Sequence, residues 1–234
     1  MPSEWESEEW LHSAKNLIEW VSKTPIDSQV MLLVRHSHRE TIKDHTAQLS
    51  TELTPLGCRM STEMGRRLPS NRKTIMFFSF VTRCYQTAQE LGNGLSENGG
   101  AIDDMDALAV LATPEVISDD FWKGLQPDGK NITEFVNNWA DGVFEGLVEP
   151  FEDYKQRFVQ DIVERISNAE SGSLHIHITH DLALMAAKRI LMPRAIGYDD
   201  REPFLGGIGL MIQDEEYTLY SSGETFHISK IEQM

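Results

Sequence analysis

Residues 30–34, Val-Met-Leu-Leu-Val, are an unbroken apolar run with β-branched ends, and four of the next five residues, Arg35, His36, Ser37, His38 and Arg39, are Arg or His. So short and uniformly apolar a segment leaves no polar side for water, which predicts a strand buried on both faces of a sheet. Strands of that kind belong to α/β sheets covered by helices, and such sheets keep their sites where the strands end. Arg35, His36 and Arg39 at that end suggest an imidazole nucleophile between two guanidinium groups able to hold a dianion.

The rest of the chain supplies the helices and the partner strands. Residues 5–23 put Trp10, Leu11, Ala14, Leu17, Ile18 and Val21 at helical spacing, with Glu4, Glu6, Glu8 and Glu9 near the positive end of the helix dipole and Pro25 as the stop. This helix is expected to pack on the domain, with a homodimer contact as the alternative. Thr54 and Pro55 open a second helix as N-cap and first helical residue, and Leu56, Met60, Met64 and Leu68 mark its apolar face. Residues 74–80 read as a second buried strand with a helix opening at Arg83, and 105–111 as a third strand. Helix-like segments near 114–124 and 131–145 break the α/β rhythm, so residues 112–150 are expected to be a small helical insertion over the mouth of the site. Phe121, Trp122, Phe135 and Trp139 are read as the core of that insertion, with substrate contact as the alternative. A long helix over 150–169, a fourth strand over 173–179, a helix over 182–191 and a terminal hairpin (206–212 with 217–220) complete the pattern. The expected architecture is a single α/β domain spanning 1–234: a three-layer sandwich with a mostly parallel central sheet and helices on both faces.

Charge narrows the partners. At a formal −16 the long-range field repels polyanions, which excludes general binding to nucleic acid or an anionic membrane, so an anionic substrate needs a locally basic pocket. Two cysteines, Cys58 and Cys84, form no disulfide framework, and the segment from Met1 to Glu6 has neither a basic nor an apolar leader region. A cytoplasmic location is the expectation.

Four polar sets stand at or just past strand ends, in this order: Arg35-His36-Ser37, then Leu53-Thr54 with Gly57, then Ser79-x-x-x-Arg83-x-x-Gln86-Thr87-Ala88, then His180-Asp181. In that ordered set the chain resembles the histidine phosphatase superfamily, the phosphoglycerate mutase and acid phosphatase clan, over about residues 30–220. The resemblance implies that His36 is the nucleophile, that Arg35, Arg39, Arg83 and His180 bind the substrate phosphate, and that Asp181 is the proton donor. It implies no metal and no cofactor, because the cations are built from side chains. Two departures bear on the donor: His38 and Glu40 stand where the acid phosphatase branch carries other residues, and the chain is short for that branch. The mutase-like branch carries its acid as a Glu after the third strand, which here suggests Glu115 or the Asp103, Asp104, Asp106 cluster.

The expected activity is hydrolysis of a phosphomonoester through phosphohistidine, the substrate being a phosphorylated small molecule or a phosphoprotein. Three other readings compete: a mutase, a non-catalytic phosphate or phosphoprotein-binding module, and a metal-dependent phosphohydrolase using His36, His38, His175, His177, His180 and Asp181 as ligands. Outside these schemes His175 and His177 read as buried imidazoles bonded within the sheet.

Overall fold

A computed structural model describes residues 3–42, 48–192 and 194–228 of the chain, so residues 43–47 of the connection after the first strand lie outside it. Its frame is a seven-stranded sheet ordered β3-β2-β4-β1-β5-β6-β7. In chain order the strands are β1 (Gln29–Arg35), β2 (Lys73–Phe78), β3 (Ile102–Ala107), β4 (Ser173–Thr179), β5 (Gly207–Gln213), β6 (Glu216–Ser221) and β7 (Glu224–Ile228). The first four are mutually parallel, and β5 turns back antiparallel against β1 with β6 and β7 beyond it. The helices are α1 (Glu4–Ser7), α2 (His12–Lys23), α3 (Pro55–Arg67), α4 (Thr82–Glu97), α5 (Ile132–Ala140), α6 (Phe151–Phe158), α7 (Glu164–Ser167) and α8 (Asp181–Leu191).

Alternation along β1 explains the three layers. Val30, Leu32 and Val34 join a core with Leu17 and Val21 of α2, Met60 and Met64 of α3, and Ala88 and Leu91 of α4. Met31 and Leu33 point the other way, into a core with Phe135 and Trp139 of α5, Tyr154 and Phe158 of α6, and Leu184 of α8. A strand apolar at every position therefore serves two helical layers at once. The apolar face of α2 is buried in the first of these cores.

Register brings the polar sets together. β4 lies between β1 and β2, with Ile178 level with both Val34 and Phe78. The chain continues past that row in register: the N–H of His36 donates to the Thr179 carbonyl (2.8 Å) and the N–H of Ser79 to the Ile178 carbonyl (3.0 Å). Residues 36, 79 and 180 thus emerge side by side at the carboxyl ends of adjacent parallel strands.

Several element boundaries differ from expectation. The third strand is Ile102–Ala107, and residues 109–111 form a 3₁₀ turn. Its acidic positions suit an edge strand, where charge discourages pairing with another chain, and an apolar reading of 105–111 passes over them. The helix over 5–23 is divided into α1, a 3₁₀ turn at Glu9–Leu11 and α2. The long helix over 150–169 contains a π turn at Val159–Val163, whose extra residue lets Ile162 and Val163 both point into the core. Within 112–150 the helical pieces are short: a 3₁₀ helix at Asp119–Gly124, a 3₁₀ turn at Pro127–Gly129, and α5. Phe121, Phe135 and Trp139 are buried, and Trp122 packs against the same core. The terminal hairpin gains a third strand, β7, whose alternating exposure leaves a weak sequence signal.

Candidate active site

His36 is fixed by what its neighbours can offer. Its Nδ1 lies 2.8 Å from the Ser37 carbonyl, which can only accept, and its Nε2 lies 3.1 Å from Arg83 Nε, which can only donate. The proton therefore sits on Nδ1, and the Nε2 lone pair faces Arg83. Burial, with help from His180, Arg83 and Arg35, holds the pKa of His36 well below the usual imidazole value, so the ring is neutral and nucleophilic at neutral pH.

His180 is the mirror case. Arg83 Nη2 donates to its Nδ1 (3.0 Å), so Nε2 carries the proton and donates to Ser79 Oγ (2.9 Å). Burial and Arg83 push its pKa down to about 3. The two rings lie 5.3 Å apart, roughly edge to face, with Arg83 bridging them. Arg83 is only 9 % exposed, against the solvated role an arginine in a first helical turn often has, and burial lowers its own pKa to about 10.

The remaining residues of the α4 motif hold this geometry. Thr87 Oγ1 accepts from the Ser37 N–H (3.0 Å), Gln86 Oε1 accepts from the Leu53 N–H (2.8 Å), and Ala88 is buried beneath them. Ser37 Oγ reaches the Gly57 carbonyl (2.8 Å), and Thr54 Oγ1 caps the Gly57 N–H (3.0 Å) and meets His38 Nδ1 (2.8 Å). A Cβ on residue 57 would lie 2.3 Å from the His38 carbonyl oxygen, so only glycine lets the α3 turn close on the Arg/His loop.

Arg35 is 6 % exposed and donates from Nη2 to Asp181 Oδ2 and from Nη1 to the Glu202 carbonyl, both at 3.0 Å. Arg39 donates to the Glu40 carbonyl (2.8 Å) and lies 3.6 Å from Asp128 Oδ1. The Nε–H groups of both are buried and, among the described residues, have no acceptor. Burial acts to raise the pKa of Asp181, but Arg35, Arg201 and His180 outweigh it and hold the carboxyl below its ordinary value. Arg35, His36, Arg83, His180 and Asp181 are thus one connected cluster, and Arg39 adds its charge at the edge.

The other candidate donors lie elsewhere. The Glu115 side chain is 75 % exposed and 4.0 Å from Arg157, while its backbone pairs with Glu149. Asp103 accepts from the Thr74 N–H on the edge of the sheet, and Asp104 accepts from the next N–H of its own strand. His175 and His177 face the apolar core around Phe77 on the far side of β4. The burial expected of them is present, but neither ring nitrogen of His175 has a hydrogen-bond partner among the described residues.

A sequence model of the Histidine phosphatase superfamily (branch 1) matches residues 31–203. The chain belongs to that superfamily. No curated protein sequence matches it. Among solved structures it resembles phosphoglycerate mutase from Bacillus anthracis str. Sterne (15 % identity, 85 % of this chain and 95 % of that one, TM-score 0.53). It also resembles a phosphoserine phosphatase from Entamoeba histolytica in complex with phosphoserine (14 %, 82 % and 95 %, TM-score 0.50). A third is a mycobacterial glucosyl-3-phosphoglycerate phosphatase with VO3 (16 %, 82 % and 98 %, TM-score 0.51). At these identities the likeness is one of fold. Superfamily members are phosphatases or mutases, so an enzyme is the expectation for this one.

Sequence reading missed four residues around this candidate site. Asp128, from the turn in the 112–150 segment, pairs with Arg39, and its carbonyl accepts from Arg201 Nη2 (2.5 Å), which itself lies 3.6 Å from Asp181. Glu202 takes Arg35 on its carbonyl, and Phe204 lies under the Arg35 guanidinium at 4.6 Å. Asp128-Gly129 reads in sequence as an ordinary turn, and nothing local to residues 201–204 signals that they fold back to β1.

Proposed function

We propose that this protein hydrolyses a phosphomonoester through a phosphohistidine on His36. The observation that carries the reading is a neutral His36 with its Nε2 lone pair facing Arg83 and its ring against that of His180, beside buried guanidinium N–H groups of Arg35 and Arg39 that have no acceptor among the described residues. An unsatisfied buried donor costs on the order of 1–3 kcal/mol, which a phosphate oxygen would recover.

In the proposed reaction Arg35, Arg39 and Arg83 take the phosphate oxygens and offset their charge as the phosphoryl group becomes metaphosphate-like. His36 Nε2 forms a bond to phosphorus while the bond to the departing alcohol oxygen breaks, and the departing oxygen takes a proton from Asp181. The resulting carboxylate then deprotonates the water that cleaves the N–P bond, restoring His36 and releasing phosphate. Without ligand Asp181 is held as a carboxylate, so its protonation must accompany the arrival of substrate. A dianion beside it offsets Arg35 and adds a like charge, and both effects raise a carboxyl pKa. The same dianion raises His180 and lets its imidazolium join the clamp. The pairing of Asp181 with two arginines is what favours a second reading, in which Glu115 is the donor after a movement of its segment.

The substrate we propose is a phosphorylated small molecule, in keeping with the names of the two similar phosphatases. Acid-quenched enzyme given labelled p-nitrophenyl phosphate should carry acid-labile, base-stable phosphate. His36→Ala should carry none; label at the wild-type level in that variant would remove the assignment. Transfer of the label to an added alcohol rather than to water would make the enzyme a mutase.

A further inference from the structure

We infer that the N-terminal segment, residues 3–23, is a positioning element of the phosphate site and acts on Arg35 and His36 through the loop 202–206. The inference rests on the phosphate-site reading above. The segment precedes the family match, which begins at residue 31.

Two contacts join it to the loop. Ser13 Oγ donates to Glu202 Oε2, while the fully buried Lys188 Nζ donates to Glu202 Oε1 (2.5 Å). Trp10 stands edge-on to Phe204, with ring centroids 6.2 Å apart at 89°, and 6.0 Å from His38. From the loop the contacts continue inward. The Glu202 carbonyl takes Arg35 Nη1, the Phe204 ring lies against the Arg35 guanidinium, and the same ring is 5.6 Å from His36. Backbone bonds clamp the loop on β1: the Arg35 N–H donates to Gly206 O (2.9 Å) and the Leu205 N–H to Arg35 O (3.1 Å). A Cβ at Gly206 would lie 2.8 Å from both Glu202 Oε2 and Ser13 Oγ, so a larger residue there would push the Ser13–Glu202 hydrogen bond aside.

The physical role follows from the geometry of arginine. A guanidinium binds phosphate well only if its plane is fixed, and two things fix the plane of Arg35 besides Asp181: the Glu202 carbonyl at its edge and Phe204 at its face. Both belong to the loop that Ser13 and Trp10 hold in place. Among the described residues the rings next to Trp10 are Phe204 and His38, and of these Phe204 is the one that lies against the Arg35 guanidinium, so the path to Arg35 runs through Phe204.

Binding of inorganic phosphate to the full chain, measured by calorimetry, tests this without turnover. Trp10→Leu is expected to weaken binding roughly fivefold to twentyfold, as couplings between packed neighbours do. Trp10→Phe should restore it. On p-nitrophenyl phosphate the loss should appear in KM as well as kcat, because Arg35 holds the phosphate dianion before the transition state as well as in it. In a Phe204→Leu background Trp10→Leu should cost less than a further factor of two. Ser13→Ala, which leaves the aromatic contact intact, should weaken phosphate binding through Glu202, and circular dichroism confirms that each variant is folded. Unchanged phosphate affinity in both Trp10→Leu and Ser13→Ala overturns the inference, as does an equal loss from Trp10→Leu with and without Phe204. Wild-type protein that binds phosphate but turns over no monoester removes the hydrolase reading alone, and the binding series still decides the role of the segment. Wild-type protein that binds no phosphate removes both.

Discussion

At His36 two neighbours of fixed character decide the chemistry: a carbonyl that must accept and a guanidinium that must donate. Because burial and adjacent positive charge keep the ring neutral, nuclear magnetic resonance of the ligand-free protein should show no His180 titration around the ordinary imidazole value of about 6.5, its pKa being pushed down to about 3, and should show His36 titrating only below that ordinary value. Adding phosphate should bring the His180 titration upward; a His36 midpoint near 6.5 without ligand would contradict the geometry. The proton donor can be separated by leaving group, since an alkyl alkoxide needs a proton in the transition state and p-nitrophenolate does not. In burst-phase measurements Asp181→Asn should slow phosphorylation by alkyl phosphates roughly 10²–10⁴-fold and by the aryl ester much less. A selective alkyl defect in Glu115→Gln, with equal losses on both substrates in Asp181→Asn, would move the role to Glu115. Asp128 competes for Arg39 with any incoming anion. Asp128→Asn keeps the left-handed backbone there, at φ 54°, and should tighten phosphate binding severalfold. An unchanged dissociation constant would show that the ion pair is spectator.

Among the elements, α4 shows how one helix start serves both geometry and chemistry. Arg83 enters the site while Gln86 and Thr87, on the next turn, hold the two loops that frame it. Its motif was legible as a pattern, but its meaning needed the partners. β4 offers a contrasting test. His175 is buried in apolar surroundings with no hydrogen-bond partner among the described residues, and burial, with Arg165 and Lys73, lowers its pKa to about 4. Its folded pKa thus lies below its unfolded one, so the unfolded chain binds the extra proton. Stability from this group is full above about pH 6.5 and is lost as pH falls towards about 4. His175→Leu should flatten the urea-unfolding free energy across that interval and leave stability at pH 7.5 equal or higher, since an unsatisfied buried polar group is removed. An unchanged pH slope would mean that the ring finds a partner in solution.

For the whole molecule, a basic pocket in a chain of formal charge −16 means that anion binding is local and works against the long-range field. A ligand that binds only the folded state stabilises it by about 2.7 kcal/mol at a hundredfold excess over its dissociation constant. Phosphate or vanadate at that excess should therefore raise the Tm of the wild-type protein by a few degrees, and that of Arg83→Ala by much less. Equal shifts in both would place the anion outside the site. Among the described residues no helix is long and apolar enough to cross a membrane.

The buried strand at residues 30–34, the capped start of α3, the Ser79 to Ala88 pattern and the pair His180-Asp181 were all readable in the sequence. Each is a local regularity: an apolar period, a capping residue, or fixed spacing at a strand end. They determined the α/β class, the order of the polar sets and the histidines and arginines that meet. The register of β4 between β1 and β2, the pairing of Asp181 with Arg35 and Arg201, and the contacts of Asp128 and Phe204 belong to the tertiary structure alone. They join residues tens to more than a hundred and fifty positions apart, and no short-range pattern encodes which loop returns to which strand. Burial is of the same kind. His36 owes its neutral ring, and Arg83 its lowered pKa, to the helices and loops that exclude water from them, and those neighbours exist only once the chain has closed around the sheet.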